Sequence, residues 1–331
     1  MQCHYRRAIV SEELIHRKRY MTLHPLFDNR VSKDLGVPIP ILQAPMGWIA
    51  RSQLASAVSR TGACGIIETS SGELDAVKEE MRVMKDLDLA FGVNIAQAFV
   101  RDPSIAEFVI EQGVKFVTTS AGSPTKYTGV LKDAGLTVYH VVPTLKAAMK
   151  AVDAGVDGLV VEGGEGGGFK SPTPVSTMVL LPLVRDHVDV PIIAAGGIND
   201  GRTMAAAFAL GAEGVQMGTQ MVSCLESPVH ENWKQAIIDA KETDTVFLNQ
   251  KHSPALRALR TDRSERLAEL DENVFGEFGD PQSLYFGGDM NAAIALSGQV
   301  AGRISEIRPI REVINDTIHE FSDTVKRLSS N

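Results

Sequence analysis

The sequence predicts an α/β chain folded as a (β/α)8 barrel with a C-terminal helical cap, and three observations carry that prediction. Eight short apolar runs recur between Pro38 and Gly218, each followed by a turn of small residues. Polar, Ala-rich helical stretches separate them, and glycines stand where those helices should end. Seven of the runs are nearly continuous in apolar character rather than alternating, as strands are when both faces are covered.

Taken in order, residues 1–34 carry seven basic and four acidic side chains and read as an N-terminal extension. Met21 precedes a segment that could itself begin the protein, so 1–20 is expected to be loosely attached or an upstream start. The barrel is expected over 35–227. Its runs are IPILQAP (39–45), CGIIETS (64–70), AFGVNI (90–95), KFVTTS (115–120), LTVYHVV (136–142), DGLVVEG (157–163), PIIAAGG (191–197) and EGVQMGT (213–219). Helices are expected over 52–60, 73–86, 104–112, 124–134, 144–154, 176–187 and 201–210. Gly62, Gly113, Gly135, Gly155 and Gly211 fall just before strands, where a helix C-terminus favours a left-handed residue. Eight such βα units match a (β/α)8 barrel. The doubly wound rival should show G-x-G-x-x-G after an early strand, and none follows any run. Residues 228–331 are expected to cap the barrel mouth, with a helix near 229–241, a charged helical stretch near 254–272, a Gly-rich loop over 276–289 and two terminal helices.

Composition narrows the function. Of 331 residues, 33 are Lys or Arg and 41 Asp or Glu, giving a formal charge of −8, which argues against nucleic acid or an anionic membrane as partner. Hydrophobic residues make up 44% and charged residues 22%, ordinary for a chain with a large core. Cys3, Cys64 and Cys224 are too widely spaced for a disulfide framework or a zinc site, and no apolar stretch suits a membrane span or a signal peptide. A reducing cytoplasm is therefore the expected setting, with a small-molecule substrate and the homo-oligomeric state left open.

In such a barrel the site lies where the strands end. The residues there are small: Ala44-Pro45-Met46-Gly47, Thr69-Ser70-Ser71, Asn94, Thr119 to Gly122, Glu162 to Gly168, Ala195-Gly196-Gly197 and Met217-Gly218-Thr219. They let a flat ligand approach the backbone. GGINDG (196–201) and MGT (217–219) offer backbone N–H groups after the seventh and eighth strands, the usual phosphate cradle of this architecture. Two tight turns without a ligand are the plainer reading. The run GGEGGGFKS (163–171) misses the phosphate-loop pattern, because Phe169 separates Gly168 from Lys170.

The segments ILQAPMGWIA, AFGVN, VEGGEGGG, PIIAAGGINDG and GVQMGT resemble, in order and spacing, the motifs of the nitronate monooxygenase (2-nitropropane dioxygenase) family of FMN-dependent TIM-barrel flavoproteins. That family is related to flavin-dependent enoyl-acyl-carrier-protein reductases and NADH:quinone reductases. The resemblance covers about 36–235 and extends weakly to SGQVAG (297–302). It implies that Pro45 and Met46 contact the flavin ring, with the backbone of Ala44 to Gly47 near its reactive edge. Asn94 would bond the ring or ribityl chain. Gly196, Gly197 and Ile198, with Met217, Gly218 and Thr219, would form the phosphate turns, and Glu165, Gly166 and Gly167 the loop over the flavin face. NADH or NADPH is a further candidate as electron donor.

One departure bears on the reaction. The family's glycine-rich loop typically ends in a histidine that acts as base; here that position is Phe169, which cannot accept a proton. His140, near the end of the fifth strand, is a candidate acid or base, although a core histidine is the commoner use. Lys170 would greet an anionic substrate or a nicotinamide phosphate, unless it is a solvated loop lysine. Glu68 and Glu162 would orient substrate or cap a loop, and Tyr285 and Phe286 would close over the flavin or plug the cap. Gly298 and Gly302 read as helix-packing glycines. No histidine pair has metal-ligand spacing, so no metal is expected. Three functions stay open: nitronate or nitroalkane oxidation with O2, NAD(P)H-dependent reduction of a quinone or enoyl thioester, and flavin binding without catalysis.

Overall fold

A computed structural model describes residues 23–100, 102 and 104–330; Cys3, His4, His16, Met21 and the expected extension over 1–20 lie outside them. Each apolar run contains a strand. The strands are β1 (Ile41–Gln43), β2 (Gly65–Ile67), β3 (Phe91–Ala96), β4 (Phe116–Ser120), β5 (Thr137–Val142), β6 (Gly158–Glu162), β7 (Gly168–Lys170), β8 (Ile192–Ala195), β9 (Gly214–Met217), β10 (Thr245–Leu248) and β11 (Ala255–Leu259). All but β7, β10 and β11 form one parallel sheet in the order β1-β9-β8-β6-β5-β4-β3-β2. A parallel bridge between Leu42 and Cys64 joins β1 to β2 and closes the barrel.

The seven expected helices are present, from Ser52–Ser59 through Gly201–Ala209. The five glycines expected after helices all have positive φ, so each chain reversal sits where no Cβ opposes it. Period-2 alternation sorts the strand residues. Leu42, Ile66, Phe116, Tyr139, Val160 and Ile193 fill the barrel, whereas Val93, Val117, Val161, Val215 and Met217 meet the helices. Helix Arg30–Leu35 plugs the floor through fully buried Val31, and Tyr139 donates to Asp34 Oδ2 at 2.7 Å there.

The cap departs from its expected form. The stretch 254–272 is not one charged helix: its first part is strand β11, and only Asp262–Ala268 is helical. Strand β11 pairs antiparallel with β10 and, on its other edge, with β7, which the glycine-rich loop itself supplies. Helix Glu231–Ile238 lies where a helix was expected. Of the two terminal helices, Gln299–Arg303 is a 3-10 turn and Ile310–Ser329 a long α-helix. That helix lies on Gly201–Ala209, where a Cβ on Gly201 would come within 2.2 Å of Phe321 N. Among the described residues no helix is long and apolar enough to cross a membrane.

Candidate active site

The strand ends open into a cavity of about 590 Å³ between the barrel mouth and the cap. One side is built from backbone. Gly196 and Gly197 take φ of +89° and +79°, which turns the chain sharply out of β8. A Cβ on Gly196 would lie 2.9 Å from the Gly163 carbonyl oxygen, so the turn and the glycine-rich loop meet backbone to backbone. The N–H groups of Gly197, Ile198 and Thr219 have no hydrogen-bond partner among the described residues. Beyond them the turn is closed by its own cap, with Asp200 Oδ1 accepting from Thr203 N at 2.9 Å.

Thr219 carries a second piece of orientation. Its Oγ1 accepts the Gly298 N–H at 2.8 Å, which directs the hydroxyl proton away from that partner. Gly298 has no room for a side chain, since a Cβ would stand 2.8 Å from the Glu165 carbonyl oxygen. The helix-packing reading of Gly298 is therefore corrected: it sits in a 3-10 N-cap and fastens the C-terminal segment to the turn after β9.

Side chains complete the cradle. Asn94 Nδ2 donates to Thr118 Oγ1 at 2.9 Å, which fixes its amide in the barrel mouth. Gln216 also faces in and lines the cavity, and its buried Oε1 has no partner. A buried carbonyl left without a donor is costly unless a ligand supplies one. Met217, placed in the cradle by sequence resemblance, turns instead to the outer helices, because the pleat alternates and Gln216 holds the inward position. Its backbone still contributes, accepting Ala44 N at 2.9 Å. In the loop after β1, Trp48 takes a φ of +61°. Glu68 pins it by accepting from Trp48 N at 3.2 Å and Arg51 Nε at 2.9 Å, so Glu68 orients a loop. Ala44, Pro45, Met46 and Gly47 line the cavity from that loop.

The glycine-rich loop is fixed at three points. The Glu165 carboxylate accepts Thr177 N and Thr177 Oγ1 at 2.9 and 3.0 Å and so caps helix Thr177–Arg185. Arg257 of β11 donates from Nε to Gly164 O at 2.7 Å. A Cβ on Gly167 would meet the Ser297 backbone at 2.6 Å, so the loop lies flat against the C-terminal segment. Lys170 is not a solvated loop lysine. Its buried ammonium pairs with Glu162 at the cavity wall, and each neutralises the other.

Phe169 sits in β7 opposite Leu256 and lines the cavity. Its ring stacks on Phe99 at 5.1 Å and tilts against Phe275 at 6.0 Å. Tyr285 is buried between Trp48 and Trp233, whereas Phe286 is partly exposed. Cys64 and Cys224 are buried thiols whose pKa burial pushes up to about 12, so neither is a nucleophile at neutral pH.

His140 is among the residues that line the cavity. Its neighbours Tyr139 and Val141 turn inward, so the pleat sets His140 on the opposite face, with Nδ1 2.7 Å from Thr119 Oγ1. Burial lowers its pKa to about 4, hence the ring is neutral at physiological pH. The unfolded chain takes up this proton near its ordinary pKa of about 6.5, before the folded chain does. Stability is thus present above that pH and declines as pH falls towards 4, by roughly 3 kcal/mol at most. Urea unfolding of His140→Gln at pH 7 and pH 4.5 should show a smaller acid loss than the native chain; an equal loss would place its origin elsewhere.

Compared with known proteins, residues 29–108 and 90–320 match the nitronate monooxygenase family model. The chain belongs to the nitronate monooxygenase family. As a member of that family of oxidoreductases it has near and distant relatives. It is 35% identical over 237 residues to a hydroxy-methyl-oxo-octahydro-indene-carboxyl-CoA dehydrogenase of Mycobacterium tuberculosis, across 70% of this chain and 66% of that one. The chain thus spans just under two thirds of that relative's length. It is 30% identical to a probable nitronate monooxygenase of Staphylococcus saprophyticus, covering 74% of this chain and 82% of the other. Among solved structures, FabK of Thermotoga maritima superimposes with a TM-score of 0.85 and 38% identity, over 91% of this chain and 98% of that one. The eight-stranded ring is accordingly the TIM barrel of this nitronate monooxygenase family member.

Proposed function

We propose that this chain is an FMN-dependent oxidoreductase that moves a hydride to or from the carbon skeleton of a thioester-activated organic substrate, with NADH or NADPH as the other redox partner. The observation that carries the reading is Phe169: the wall facing the cradle at the family's base position is an aromatic ring packed on Phe99, so it removes no proton from a neutral nitroalkane. The carboxyl-CoA dehydrogenase among the relatives supports a thioester.

Bound FMN would supply the two-electron chemistry, and the chain would supply position and electrostatics. The N–H groups of Gly197, Ile198 and Thr219 suit the phosphate, and the Thr219 hydroxyl, already accepting from Gly298, has its proton left to donate. Gly196 and Gly218 keep those turns clear of side chains. The amides of Gln216 and Asn94 suit the polar edge or ribityl hydroxyls, the unpartnered Gln216 Oε1 finding a donor there. Ala44 to Gly47 would face the ring on one side, and Glu165, Gly166 and Gly167 would exclude water on the other. Nitronate oxidation is the second reading, supported by the Staphylococcus relative, and it requires a substrate that arrives already ionised.

Anaerobic mixing tests both. With FMN bound, NADH or NADPH is expected to bleach the flavin, and an enoyl thioester to restore its colour. Bleaching by a nitronate but by neither nicotinamide would favour the second reading, and a chain that takes up no FMN would overturn both.

A further inference from the structure

We infer that Phe99, Phe169, Pro254 and Leu296 form a subsite for the apolar acyl group of a coenzyme A thioester, and that Phe169 sets how much acyl surface it accepts. The inference rests on the thioester reading and adds to it the nature of the acyl group. All four side chains line the same cavity as the cradle. They form a wall of different character: the cradle presents backbone N–H groups and amides, whereas these residues present rings and methyls.

The wall is rigid. Phe169 is held by antiparallel pairing with Leu256, by the stack on Phe99 with planes 29° apart, and by Phe275 behind it. Behind the pairing lies the cap's own core of Val246, Leu248, Leu256 and Ile294, against which Phe169 and Leu296 pack. Yet Phe99 and Phe169 are only half-buried, so apolar ring surface is left facing the cavity. Such a surface gains most by covering an apolar ligand.

Among the described residues no free charge lines this cavity. The charged side chains that line the cavity are engaged, Glu162 with Lys170 and Glu165 with Thr177, while His140, bonded to Thr119, and the buried phenol of Tyr285 are neutral. Phe169 follows the glycine-rich loop directly, so an acyl group on its ring lies beside the cradle. A histidine at 169 would place a polar ring edge in the same wall, which is why the residue matters to the ligand as well as to proton transfer.

The test titrates the FMN-loaded protein with butyryl-, hexanoyl- and octanoyl-CoA, free coenzyme A, and straight-chain alcohols of matching length, following the flavin spectrum. Affinity is expected to rise about fourfold per methylene along the thioester series, the burial of one CH2. Phe169→Asn and Leu296→Asn, each checked for retained FMN, should flatten that slope below about twofold per methylene while leaving free coenzyme A within about twofold. No chain-length slope in the native protein with either series, or an unchanged slope in both variants, would overturn the subsite. A slope with the alcohols but acyl-CoA binding no tighter than free coenzyme A would uphold the apolar subsite and overturn the thioester.

Discussion

Phe169→His is expected to raise the oxidation of a neutral nitroalkane by about 10² or more, the scale of one positioned general base. The substitution is close to isosteric, and the strand pairing with Leu256 and the stack on Phe99 hold the new ring against the same cavity. Oxidation of the same compound offered as its preformed nitronate should change far less, because no proton has to be removed. The ratio of the two rates therefore isolates the base from any general change in binding. It should also acquire a pH dependence near the ordinary range of histidine, about 6.5. Equal rates on the neutral compound before and after substitution would show that something other than the missing base limits that reaction.

Gly196→Ala is expected to weaken FMN binding by about 10²-fold, the equivalent of roughly 3 kcal/mol. Part of the loss is conformational, since a φ of +89° costs a residue with a Cβ at least ~1–2 kcal/mol. The rest is steric: the new methyl would stand 2.9 Å from the Gly163 carbonyl and 3.1 Å from Gly166 N, prising the turn after β8 from the glycine-rich loop. Backbone atoms cannot rotate aside as the end of a side chain could. Fluorescence titration of the apoprotein measures the loss, and an affinity within about threefold of native would mean that these N–H groups do not hold the phosphate.

How much of this was legible in the sequence depended on whether burial left a pattern. The barrel strands were readable because each is covered on both faces and bounded by small residues, and the helices because glycines end them. The same coverage hid β11. In SPALRALR the apolar residues Ala255, Leu256, Ala258 and Leu259 fall at helical spacing, but both faces of that strand are buried, so the period-2 signal never appears. Strand β7 was invisible for another reason: three residues of a glycine-rich loop acquire a partner only from the cap. The site divides likewise. The two turns proposed to hold the phosphate could be seen as glycines at strand ends, the pair Gly196-Gly197 and the single Gly218. Gln216 was missed in favour of Met217, although a lone glutamine inside EGVQM was itself the sign of an inward polar position. The role of Gly298 depends on a contact 79 residues away in sequence.

That contact sets an order of events during synthesis. The turn after β9 is complete in the chain once Thr219 has been made, but the Thr219 hydroxyl is aimed by the N–H of Gly298, and the neighbouring Ser297 lies flat against Gly167 of the glycine-rich loop. A nascent barrel of eight finished strands would still present a half-made pocket, lacking the segment that orients Thr219 and backs the glycine-rich loop. The segment around Ser297 and Gly298 thus latches two loops of the cavity together, and a chain cut short before it is expected to take up FMN more weakly than the native chain.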